Sequence, residues 1–129
     1  MEKITFKNLI QRSRCIIPAN GYYEWKREDK TKTPYYFTKE DGEIMLFAGI
    51  YQNDQFCIIT REATEEISTI HHREPMIINK SQINNYLNIK KNAIEILNSI
   101  KPPNLKFYEI SKDVNNPINN DPSIINTVT

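Results

Sequence analysis

The chain has 129 residues, of which 39% are apolar and 26% charged, with a formal net charge of +1. Such a length suits one domain with a real core, and the composition excludes disordered and membrane-embedded classes. The near-zero charge also excludes a strongly basic nucleic-acid binder. Its distribution is uneven, since residues 1–40 carry nine Lys or Arg against five acids. That excess reads as a basic face or as a solvated one. No apolar stretch follows Met1, and none approaches the roughly 18 residues of a membrane span, so a cytoplasmic location is expected.

In chain order, T-F-K-N-L-I-Q-R predicts an opening helix. C-I-I-P-A and Y-Y-E-W flank Asn20-Gly21, which predicts a first β-hairpin, and P-Y-Y-F-T and I-M-L-F-A-G-I-Y flank Asp41-Gly42 as a second turn. F-C-I-I-T reads as a buried strand, and Ala63, Ile67 and Ile70 share one face of a short helix. P-M-I-I returns to strand. Ser81 is placed to cap Q-I-N-N-Y-L, and the next helix groups Ile94, Leu97 and Ile100 before Pro102 and Pro103 stop it. K-F-Y-E-I is a last strand, and the Asn- and Pro-rich remainder is coil. Hairpin-joined strands with a few peripheral helices predict an α+β fold with a mostly antiparallel sheet, as one domain over residues 1–129.

Chemistry concentrates at few positions. Strand alternation puts Tyr22 and Glu24 on one face, with Tyr23 and Trp25 on the other. A carboxylate among aromatics is partly desolvated and suits proton transfer, whereas an exposed Glu beside Lys26 is the plain alternative. His71 and His72 are the only histidines. Neighbouring side chains generally diverge, so no metal site is expected from them. One imidazole can act as acid or base. Arg73 can clamp a phosphate or pair with Glu74, and Trp25 can stack on a base or fill a core. Three glycines leave no phosphate-cradling loop. Cys15 and Cys57 lie in apolar runs and are expected to be buried, reduced and inert.

Taken together, the order of these segments resembles one family. R-C-I-I-P-A-N-G-Y-Y-E-W-K is similar to the signature of the SOS-response-associated peptidases, the abasic-site processing proteins, in which a P-A-D-G turn and an E-W strand present the catalytic Glu. F-C-I-I-T-R-E-A resembles the Thr-containing segment, with Thr60 eleven residues before His71, and I-H-H-R-E-P resembles H-D-R-M-P. E-I-S-K-D-V-N-N-P-I-N-N-D-P-S-I-I resembles the closing V-S-x-x-V-N segment. The resemblance implies binding of single-stranded DNA containing abasic sites. Glu24 and His71 would be catalytic, Arg73, Trp25 and Thr60 would bind DNA, and neither cofactor nor metal would take part. In complete members a Cys after the initiator Met supplies the thiol and amine that crosslink to the ring-opened sugar as a thiazolidine, and it also gives the family its autopeptidase activity.

This chain begins Met1-Glu2 and has no N-A-R segment. The expectation is therefore an N-terminally incomplete, monomeric member. Its peptidase or lyase activity would depend on a separately encoded N-terminal segment. The alternative is a non-catalytic single-stranded-DNA-binding remnant or a decayed gene product. Asn20 stands where the family has Asp, and His72 and Glu74 replace its Asp and Met, Glu74 adding negative charge beside the expected phosphate site.

Overall fold

The computed structural model describes residues 6–112. The elements run α1 (Phe6–Arg12), β1 (Arg14–Ala19), β2 (Tyr22–Glu28), β3 (Thr31–Lys39), β4 (Met45–Gln52), β5 (Gln55–Ile58), β6 (Thr60–Glu62), β7 (Arg73–Pro75), α2 (Ile83–Leu87), α3 (Ala93–Ser99) and β8 (Leu105–Glu109). The fold is α+β. One antiparallel sheet has the order β1-β4-β5, a second β2-β3-β8, and β6 with β7 forms a two-stranded ribbon. The Asn- and Pro-rich tail expected to be coil lies outside the described residues.

The strands stand close to where the apolar runs predict them, but the hairpins do not. Neither Asn20-Gly21 nor Asp41-Gly42 joins paired strands, because β1 pairs with β4 and β2 with β3. The true hairpin turns are Asp29-Lys30, between the pair Glu28 and Thr31, and Asn53-Asp54, between the pair Gln52 and Gln55. Asp29 (φ 51) and Asn53 (φ 53) take the left-handed conformation that two-residue loops demand and that Asp and Asn tolerate. Gly21 serves a different purpose. A Cβ there would stand 2.7 Å from the Tyr36 ring and closer still to the Phe37 carbonyl, so only glycine lets β2 enter against β3. Gly42 (φ 77) does turn the chain, its N–H donating to the Lys39 carbonyl at 3.0 Å.

Two compact units make up the chain, each with its own core. Among the described residues the first comprises 6–19, 45–61 and 75–103, and the second 20–44, 62–74 and 104–112. In the first, Ile10, Ala48, Ile50, Met76, Ile78, Tyr86, Ala93, Leu97 and Ile100 are buried together. Arg14 ties its helices down. The guanidinium donates to the carbonyls of Ile10 (2.6 Å), Tyr86 (3.0 Å) and Asn88 (2.8 Å), groups at helix C-termini that would otherwise be bare, and to that of Lys91 (2.8 Å) in the turn before α3. In the second unit Phe37, Ile67 and Ile70 are buried, with Tyr22, Tyr35, Ala63, Leu105 and Phe107 packed against them.

Several local expectations need correction. Ile67–Thr69 is a single 3-10 turn, too short for a helix, although Ala63, Ile67 and Ile70 do share the core. Ser81 lies inside a 3-10 turn, and α2 starts without a side-chain cap. Asn92 caps α3 instead, accepting the Glu95 N–H at 3.1 Å. Ile94 faces outward, and Ala93 takes its place beside Leu97 and Ile100. Beyond Pro75, residues 76–78 form no strand of their own but bridge to β4 at Ile77 and Phe47, the Ala48 N–H donating to the Met76 carbonyl and the Ile78 N–H to the Leu46 carbonyl at 2.9 Å each. β5 is an edge strand with one neighbour, so Phe56 is exposed and so is Cys57; the latter is free but not buried. Cys15 is free and half-buried, its thiol pushed up by burial.

Candidate active site

In β2, Glu24 sits opposite Tyr35 and next to the Tyr22–Phe37 pair. Tyr22 stacks on Phe37 with centroids 4.7 Å apart, and Ile67 and Ile70 close over this face of the sheet. Alternation therefore delivers the Glu24 carboxylate to the rim of an apolar patch. Oε1 accepts the N–H of Trp25 at 3.2 Å, and Oε2 lies 3.8 Å from His71 Nδ1. Both side chains remain about a third open to solvent, 27% for Glu24 and 31% for His71. The pair is thus held in place yet reachable.

His71 arrives at that carboxylate on the loop between β6 and β7. Ala63 N–H donates to the His72 carbonyl at 3.0 Å, and His71 N–H to the Ile67 carbonyl at 3.1 Å. The ring is bracketed by the main chain of Arg73, whose N–H and carbonyl oxygen both lie 3.2 Å from Nδ1. With Nδ1 bare it accepts from the Arg73 N–H. With Nδ1 protonated it has the Arg73 carbonyl and the Glu24 carboxylate to donate toward. Which of these partners Nδ1 uses depends on the tautomer.

Glu74 is 4% exposed, and its Oε2 accepts the Thr64 N–H at 3.2 Å with the Thr64 hydroxyl at 3.5 Å. Burial turns the carboxylate inward, where it stitches the loop that carries His71. Tyr22 feels this directly. Burial first, and then the carboxylates of Glu74 and Glu24, push its phenol far above the ordinary value. No local pattern announces the Glu74–Thr64 contact, since the partners are ten residues apart and meet only when the loop closes.

The remaining candidates separate. Trp25 pairs with Pro34 on the opposite face of the sheet from Glu24, with Lys32 Nζ 5.0 Å over its ring. Tyr23, Tyr36 and Tyr108 form a row on that same face, with centroid spacings of 5.2 and 6.0 Å. Arg73 opens β7 and is exposed. Thr60 opens β6, also exposed, and belongs to the first unit, whereas Glu24, Trp25, His71 and Arg73 belong to the second. The rings of His71 and His72 stack at 4.6 Å instead of diverging. Among the described residues no three potential metal ligands gather.

The family model for the SOS response associated peptidase (SRAP) matches residues 1–117. The abasic site processing protein YoqW of Bacillus subtilis is 35% identical over 96% of this chain and 62% of its own length, and YedK of Escherichia coli is 29% identical over 95% and 61%. A crystal structure of a Bacteroides thetaiotaomicron protein superposes with a TM-score of 0.85 at 32% identity, covering 99% of this chain and 62% of that one. The chain thus spans about three-fifths of the length of these relatives. It belongs to the SOS response associated peptidase family.

Proposed function

We propose that this chain carries the acid–base part of an abasic-site processing centre, with Glu24 and His71 moving protons at the ring-opened sugar aldehyde of an abasic site in single-stranded DNA. The observation that supports it is the 3.8 Å approach of His71 Nδ1 to Glu24 Oε2 on a partly open rim. A primary amine adds to the aldehyde carbon, the carbonyl oxygen gains protons and leaves as water, and an imine forms. A thiol then adds to the imine carbon while its proton passes to nitrogen, closing a thiazolidine. Proton delivery to the departing oxygen is work for an imidazole, and relief of charge on that imidazole is work for the carboxylate. In this reading Arg73 grips a backbone phosphate.

The test supplies amine and thiol on a short peptide beginning Cys-Gly-Arg, mixed with an abasic-site oligonucleotide and the purified chain. The chain is expected to accelerate formation of the heat-stable adduct by about tenfold or more, and Glu24→Gln or His71→Ala to remove most of that acceleration. Full acceleration by both variants would sink the assignment. Without the peptide no heat-stable adduct is expected, because Cys15 and Cys57 are internal and have no free α-amine.

A second reading, strand binding without chemistry, is favoured by the row of Tyr23, Tyr36 and Tyr108 beside Trp25 and Lys32, since aromatic faces stack on bases regardless of sequence. It predicts salt-sensitive binding of an undamaged strand and no acceleration of the adduct by the wild-type chain.

A further inference from the structure

The first unit holds a cavity of about 570 Å³ between α1 and the segment leading into α3. Its wall carries Lys7, Arg12, Arg14, Lys90 and Lys91, and no acidic residue is among the described residues that line it. Arg14 is 8% exposed and meets no carboxylate among the described residues; four backbone carbonyls hold it. Carbonyl dipoles solvate a cation without cancelling its charge, so the wall keeps a fixed positive potential where water is partly excluded. Lys7, Arg12, Lys90 and Lys91 are exposed and add charge around it. Two large apolar side chains, Ile89 at 57% and Ile94 at 44% exposure, stand in the same lining.

These features describe one kind of guest. Concentrated positive charge with no acid among the described lining residues selects an anion, and Arg and Lys together suit phosphate oxygens. The volume far exceeds that of an inorganic ion and falls within the range of small-molecule sites. Exposed isoleucines beside the cations offer apolar contact to a flat, weakly polar body carried by the anion. We infer that this cavity seats a nucleotide, its phosphate against the Arg12–Arg14–Lys90–Lys91 wall and its base against Ile89 and Ile94. The inference does not rest on the Glu24–His71 reading, which concerns residues of the other unit. The nucleotide is either free or one residue of a strand, and the phosphate chemistry is common to both.

Thymidine 5′-monophosphate, thymidine and a fluorescent ten-residue oligothymidylate are the probes. At millimolar concentration the monophosphate is expected to raise the melting temperature of the full chain by about 3 °C or more, and thymidine to leave it unchanged. The double variant Arg12→Glu, Lys90→Glu is expected to lose this response. Lys30→Glu, Lys101→Glu reverses two exposed charges outside the cavity and is expected to keep it. If the oligothymidylate binds about tenfold more weakly to the first variant than to the second at low salt, the guest is part of a strand. If the two bind it equally while only the first loses the monophosphate response, the guest is free. No monophosphate shift in the wild-type chain, a shift that persists in the first variant, or an equal loss in the second would each overturn the proposal. Amide chemical shifts of the wild-type chain give an answer that needs no variant. The monophosphate should perturb residues 89–94 and spare residues 22–28, and the reverse pattern would refute the site.

Discussion

Arg14 shows how much one side chain can hold. Its four hydrogen bonds reach the last turn of α1, the end of α2 and the turn before α3, so truncation strands four carbonyls in a poorly solvated place. Arg14→Ala is expected to destabilise the chain by about 3 kcal/mol or more, measured as a shift of the urea midpoint. Lysine cannot replace the planar fork, and Arg14→Lys is expected to recover only a minor part. Tyr86 is a second buried polar group of this core, its hydroxyl donating to the Gly49 carbonyl at 2.6 Å. Burial raises its phenol well above the ordinary value near 10, as burial raises that of Tyr22. A phenol with a raised folded value stabilises the fold fully below the unfolded value and loses that contribution as pH climbs toward the folded one. Stability is therefore expected to fall as pH rises above about 10, and to fall less steeply in Tyr86→Phe and Tyr22→Phe when urea midpoints are compared between pH 8 and 11.

At the scale of elements, existence was legible and partnership was not. Apolar runs and alternation located most of the strands and placed Glu24 and Trp25 on opposite faces, because those signals are local. Pairing was misread because Asn20-Gly21 and Asp41-Gly42 carry a strong hairpin signature, whereas the working turns, Asp29-Lys30 and Asn53-Asp54, contain no glycine. Those turns depend on the tolerance of Asp and Asn for positive φ. Asn53→Ala is expected to cost about 1 kcal/mol and Asp29→Gly to be neutral or slightly stabilising, read from thermal melts. F-C-I-I-T looked buried by composition, but a strand with one neighbour leaves Phe56 and Cys57 in solvent. The closeness of Glu24 and His71, 47 residues apart, was legible from motif order. Glu74 was not, because nothing in a charged R-E-P triplet tells that its carboxylate folds inward onto Thr64.

Over the whole molecule, each core is assembled from three stretches that alternate along the chain. The polypeptide leaves the first unit after Ala19, returns at Met45, leaves again after Arg61, returns at Pro75 and departs for the last time after Pro103. No helix among the described residues is long and apolar enough to cross a membrane. The interleaving means that no single peptide-bond cleavage can release either unit. A protease nick at Lys30, in the exposed turn between β2 and β3, would leave an amino-terminal fragment owning α1, β1 and β2 and a carboxy-terminal fragment owning the rest. Each fragment then holds part of both cores, and β1 against β4 and β2 against β3 still bind the two together. Limited trypsin treatment is expected to give two bands on a denaturing gel that travel as one species in gel filtration, and the same halves expressed separately are expected to reconstitute the fold on mixing.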